Sequence, residues 1–296
     1  MVIYLENKYI DFGSYPTEEI TNTNIINELN NLVDENNWID FHYYDKGVDT
    51  PFMWYQDIIY HNEKYRGVYF DKIRILFTNK DEYTVEDEKR LFPNIKVGSV
   101  YWFKYSPIKW RILNETEDEL MLISEFILDN MEFYHNDEDR VINDKKIYPN
   151  NWEHSNIRKC LNNNFYNTAF TESEKELIKI QLLDNHNSYN AFSSKYLREQ
   201  NDTLDKVYLL SYHESLQYFS GSCLYDETKL TTPTKYAIMN LLSTSFKPGY
   251  KDWLLRTPCN NSSYMVHYVS KGGTIDKENF TYIVEGRRPV INIKVK

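Results

Sequence analysis

The order of local signals along the chain constrains its fold most. Segments rich in Tyr, Trp, Ile and Val suit a pleated, half-buried surface. They occur toward the front at Val2–Phe12, Met53–Tyr60, Tyr65–Phe77, Val100–Asn114 and Glu119–Ile127, and again at the end at Trp253–Arg256, Tyr264–Val269, Tyr282–Val284 and Pro289–Val295. After one early helix, the helical signals cluster between these two groups. Strands and helices therefore do not alternate as a βαβ chain requires, and the reading is α+β with a mixed or antiparallel sheet and packed helices.

Punctuation supports the division. Gly13-Ser14-Tyr15-Pro16 reads as a turn closing the first strand, and His61-Asn62-Glu63-Lys64 as a hairpin connection. Ile20, Ile25, Ile26, Leu29, Leu32 and Val33 share a helical face. Ser155 caps a helix carrying Ile157, Cys160, Leu161 and Phe165. Thr171 with Glu174, and Ser211 with Glu214, have the spacing in which each side chain satisfies the other's backbone N–H. A further helix spans Thr232–Leu242, and Pro107 reads as a break between two strands. Asn36–Pro51 and Asp184–Thr203 read as loops. The charged stretch Thr78–Lys89 is the best internal boundary, giving an N-terminal strand, helix and hairpin elaboration (residues 1–90) and a core (residues 91–296).

Composition narrows function. Among 296 residues, 26 Tyr and 6 Trp give ample material for a core, and Tyr also suits wet contact surfaces. The formal net charge is −10 with dispersed Lys and Arg, which argues against direct nucleic-acid or anionic-membrane binding. Cys160, Cys223 and Cys259 are odd in number and far apart, so neither a disulfide scaffold nor a C-x-x-C site is expected. The first residues lack the basic-then-apolar pattern of a signal peptide, no stretch has the length of a membrane span, and a reducing cytoplasmic setting is expected.

Catalytic and metal-binding patterns are missing from the sequence. His42, His61, His135, His154, His186, His213 and His267 form no ligand spacing, and Asp137-Glu138-Asp139 lacks the rest of a calcium loop. Gly272-Gly273 has no following Lys-Ser/Thr and reads as a turn, and no nucleophile elbow occurs. No catalytic residue, metal site or cofactor is therefore assigned.

Five stretches together carry a resemblance. They are Ile10–Pro16 (IDFGSYP), Trp102–Leu113 (WFKYSPIKWRIL), Leu161–Phe170 (LNNNFYNTAF), Trp253–Pro258 (WLLRTP) and Gly286–Val290 (GRRPV). In this order they resemble an uncharacterised bacterial domain family reading FGxYPQ, PIxWRVL, LNxxFxxxAF, WxLRSPG and GVRPAL. Arg287 departs from it, standing where the family has a small apolar residue. The ending also resembles the C-type-lectin-like fold of formylglycine-generating enzymes and phage receptor-binding proteins. That likeness implies paired terminal strands, two helices on a sheet and long irregular C-terminal loops. It does not bring the oxidase chemistry, because Cys259 has no sequence-near partner, nor calcium-dependent sugar binding, because the EPN, QPD and WND signatures are missing.

Arg256 and Arg288 have two readings, as guanidinium forks for an anion or as structural ties to carboxylates and carbonyls; the structural one is preferred. The most suggestive surface is Asn260, Asn261, Ser262, Ser263, Tyr264 and His267, with Lys271, Trp253 and Arg287 beside it. Asn, Ser and Tyr supply adaptable hydrogen bonds and rigid contact area. The expected function is a non-enzymatic module binding a protein, or a glycan, through this surface. The alternatives are an enzyme with a pocket built from distant residues, and a phage or mobile-element inhibitor docking on a basic, nucleic-acid-binding protein.

Overall fold

A computed structural model describes residues 9–41, 53–70, 96–186, 200–219, 221–240 and 249–295. The expected strand start at Val2, the boundary at Thr78–Lys89, the end of Tyr65–Phe77 and parts of both long loops lie outside the described residues.

In chain order, β1 (Tyr9–Glu19) leads into α1 (Thr23–Asn30), then β2 (Ile39–Asp40), β3 (Met53–Tyr60), β4 (Glu63–Phe70), β5 (Val100–Glu115), β6 (Glu119–Ser124) and β7 (Asp129–Glu132). The small hairpin β8 (Arg140–Ile142) and β9 (Lys145–Ile147) precedes a helical run. This run is α2 (Asn156–Cys160), a π-helical turn (Leu161–Phe165) and α3 (Tyr166–Ala169), followed by α4 (Glu172–Lys175). Then come β10 (Ile178–Lys179), β11 (Gln181–Leu183), β12 (Thr203–Asp205), β13 (Val207–Tyr208), α5 (Tyr212–Tyr218) and α6 (Lys235–Asn240). The chain closes with β14 (Trp253–Pro258), β15 (Met265–Val269), β16 (Ile275–Phe280), β17 (Val284–Arg287) and β18 (Val290–Lys294). The fold is α+β and mostly β.

β5 organises the larger sheet. Its residues 100–104 pair with β4, residues 110–115 with β6, and residues 103–111 with β1. The expected break at Pro107 does not occur. Pro107 lies opposite Ser14 at an irregularity of β1, where a missing N–H costs no ladder bond. The expected turn at Gly13–Pro16 is the same irregularity, and β1 runs through it to Glu19. Gly13 supplies its φ of +67°, and a Cβ there would sit 2.6 Å from the Phe170 ring, so the close approach of the strand to the end of α3 requires glycine at this position. The β3–β4 hairpin turns on His61 and Asn62, both at positive φ, as a two-residue primed turn requires.

The second sheet has the order β16-β15-β14-β17-β7. Its β14–β17 pair is parallel and the others antiparallel. The two Trp/Arg-bearing tail segments are thus neighbours. Gly286 allows this approach, because a Cβ there would fall 2.6 Å from the Asp252 carbonyl oxygen. β18 pairs with β6, β10 and β13 in the first sheet, so among the described residues β1 and β18 share a sheet without pairing directly. Both capping boxes form as expected, on Thr171 with Glu174 and Ser211 with Glu214. The core between the layers holds fully buried Trp110, Trp152, Tyr236 and Trp253.

Candidate functional site

The expected surface loop joins β14 to β15 and is tied down from within. Asn150 donates from its backbone N to the Ser263 carbonyl (3.1 Å) and from Nδ2 to the Ser262 carbonyl (2.8 Å). Cys259 is buried, and its Sγ–H points to Asn261 Oδ1 at 2.6 Å, so it reads as a loop tie. Asn261 and Lys271 are exposed, Asn260, Ser262 and Ser263 are half-buried, and the Tyr264 ring stacks on Phe280 with centroids 5.9 Å apart. Phe280 stacks in turn on Tyr282 at 5.4 Å.

Three residues assigned to that surface are not on it. Trp253 is fully buried, with Nε1 donating to the Lys229 carbonyl at 3.1 Å. His267 is buried, with Nδ1 3.2 Å from the Thr257 carbonyl oxygen and its ring against Tyr212. Arg287 is buried and paired with Asp129. Strand alternation places one side chain in two outward, but β14 is covered on both faces and all six of its residues are buried.

Arg256 and Arg288 are structural. Arg256 forks the Glu214 carboxylate, donates from Nε to Asn185 Oδ1 (3.2 Å) and from Nη1 to the Leu209 carbonyl (2.8 Å). Burial opposes ionisation of Glu214, but the Arg256 guanidinium outweighs it and holds the carboxyl below its ordinary value. Arg288 donates from Nε to the Ser124 carbonyl at 3.0 Å and lies over Trp253; burial draws it down to about 9.

A cavity of about 580 Å³ opens where the helical run, β7 and the N-terminal strands meet. Tyr15 reaches it from β1, Tyr55 from β3, Arg66 from β4, Asp129 and Glu132 from β7, Cys160 from α2, Tyr236 from α6 and Arg287 from β17. Asn164 lies exposed at its rim. Two ion pairs are built into its walls. Arg66 grips Asp57 through Nε (2.7 Å) and Nη2 (2.9 Å), gives Nη1 to Tyr236 Oη (3.1 Å), and lies 4.2 Å over the Tyr55 ring. Burial pushes Asp57 up, but its bonds to Arg66 prevail and hold it below the ordinary range. Asp129 pairs with Arg287 and accepts from Tyr15 Oη at 2.7 Å. Burial, reinforced by Asp129, raises the Tyr15 phenol well above its usual value. Arg287 Nη1 also lies 3.0 Å from Cys160 Sγ.

Glu132 is different. It is 1 % exposed, and no donor reaches either carboxyl oxygen at hydrogen-bonding geometry. Burial raises it to about 7; its own backbone N–H, the nearby Asn156 and the more distant Arg287 offset only part of this. A buried polar group in a native protein ordinarily has a partner, and a carboxyl without one, lining a cavity, calls for an explanation such as a bound group. Sequence reasoning missed Glu132 and Asp129, since Asp129-Asn130-Met131-Glu132 carries no alternation or spacing that separates a buried polar strand from a loop.

The sequence pattern of DUF6273, a domain of unknown function, matches residues 117–295. The chain belongs to this family. No curated protein and no solved structure matches it. The DUF6273 stretch contains β7, the helical run, α6 and β17, hence Asp129, Glu132, Cys160, Tyr236 and Arg287. Tyr15, Tyr55 and Arg66 precede it, so the cavity is walled jointly by the DUF6273 segment and the strands N-terminal to it. Among the described residues no helix is long and apolar enough to cross a membrane, and no group of three or more His, Cys, Asp or Glu is placed to hold a metal.

Proposed function

We propose that the protein is a binding module that admits part of its partner into the cavity at Tyr15, Glu132 and Arg287. The observation that carries this reading is Glu132, a carboxyl kept buried without a donor in a preformed concave site of ligand size. The other charged walls, Arg66–Asp57 and Arg287–Asp129, are already paired, which suits rigid recognition. The test is binding to the full chain before and after the rim is closed by Asn164→Trp. Ligands that bind the parent and not the variant support the reading, and equal binding to both overturns it.

A second contact face is favoured by the ring stack Tyr264–Phe280–Tyr282 beside Asn260, Asn261, Ser262, Ser263 and Lys271. Stacked rings next to short amides suit a protein loop or a glycan. Tyr264→Ala with Asn261→Ala lowers affinity for the captured partner if this face takes part, and leaves it unchanged if it does not. The architecture is proposed as a variant of the C-type-lectin-like type. In favour stand the mixed sheet and the loop-rich C-terminal half; the lack of direct pairing between β1 and β18 is a departure.

A further inference from the structure

We infer that the cavity recognises a primary ammonium group, which Glu132 receives as a carboxylate between aromatic walls. The inference rests on the cavity being a ligand site. Charge accounting leads to it. Arg66 is forked by Asp57, while Arg287 gives Nη2 to Asp129 and turns Nη1 to Cys160 Sγ, so neither guanidinium presents a complete open fork to an anion. Lys159 is exposed at the rim, where water screens it. That leaves Glu132 as the acid deep in the wall that lacks a donor. A ligand with an N–H₃⁺ group supplies donors and compensating charge together. Tyr15, Phe41, Tyr55 and Tyr236 line the same space, and aromatic rings attract cations more strongly where water is excluded. The formal charge of −10 favours the approach of cationic partners.

Ammonium binding to Glu132 displaces its proton, so affinity depends on pH. The titratable groups lining the cavity with Glu132 are Asp129 on its own strand, Asp40 on β2, Arg287 on β17, Arg66 on β4, Lys159 and Cys160 on α2, His135 just beyond β7, and the phenols of Tyr15, Tyr55 and Tyr236. Burial, then Arg140, lowers His135 below its ordinary value. With Glu132 titrating at about 7, affinity for an ammonium falls about tenfold from pH 8 to pH 6.

The experiment is calorimetric or NMR titration of the full chain with 1,4-diaminobutane, Nα-acetyl-lysine N-methylamide, 1-butanol and butyrate. Both amines bind at pH 8 and weaken about tenfold at pH 6. Glu132→Gln, which keeps shape and removes the charge, lowers their affinity tenfold or more, Asn164→Trp abolishes binding, and His135→Asn retains the pH dependence. Tighter binding of the lysine mimic identifies a partner's side chain as the source, and tighter binding of the diamine a free polyamine; both support the inference. If 1-butanol or butyrate binds as well as the amines and Asn164→Trp blocks it, the ammonium assignment falls while the cavity stands. If none of the four binds, both fall.

Discussion

Tyr15 Oη donates to Asp129 Oδ2 at 2.7 Å across 114 positions of sequence, both groups buried. This bond ties β1 to β7, and so the segment before the DUF6273 stretch to the stretch itself. Tyr15→Phe removes one of the donors on a buried carboxylate whose Arg287 partner remains. The expected loss is about 1–2 kcal/mol, read as a lower urea midpoint at unchanged slope.

Arg256 and Glu214 couple β14 to α5. Truncating either leaves the other charge poorly compensated. Arg256→Ala therefore costs about 3 kcal/mol, and Arg256→Lys recovers only part of that because an ammonium cannot fork a carboxylate. A double-mutant cycle with Glu214→Ala reports the coupling. A coupling near zero removes the structural role assigned to the pair.

Glu132 makes stability depend on pH in a stated direction. Its native value of about 7 lies above the ordinary 4.5. Between these pH values the unfolded chain has released the proton and the native state has not. The stabilising effect is complete below pH 4.5 and is lost as pH rises through 7, by on the order of 3 kcal/mol. Glu132→Gln abolishes this loss, so its advantage in melting temperature over the parent grows from pH 4.5 to pH 8. Glu285, raised to about 8 by burial and then by Asp252, has the same sign, and Glu285→Gln shows the effect over a window reaching one unit higher.

Gly286→Ala pushes a Cβ to 2.6 Å from the Asp252 carbonyl and 2.7 Å from Ile127 Cδ1. Backbone on one side cannot yield cheaply, so β14 and β17 must separate. The expected cost is about 2 kcal/mol or more, with near-UV circular dichroism of the packed Trp253 reduced.

Local chemistry was legible in the sequence, and assembly was not. The Thr171–Glu174 and Ser211–Glu214 boxes were readable because their partners lie three residues apart. The β3–β4 hairpin was readable because turn residues interrupt two apolar runs. Pro107 misled, because its tolerance depends on a bulge in β1, nearly a hundred residues away. Trp253 and His267 misled, because alternation along one strand does not report whether the opposite face is covered. The cavity was illegible for the same reason: Tyr15, Glu132 and Arg287 meet only when three distant strands and a helix close together. Arg287 stood out as a departure from the resembled family, but its strand pattern pointed to a surface place, and its buried partner Asp129 had no signature.

The most direct test is a carbon-detected NMR titration of the Glu132 side-chain carboxyl, assigned with Glu132→Gln, in the free chain and with saturating 1,4-diaminobutane. A midpoint near 7 that drops by a unit or more with the amine is the predicted result. An ordinary midpoint near 4.5, unmoved by the amine, contradicts both the buried, donorless carboxyl and the recognition built on it.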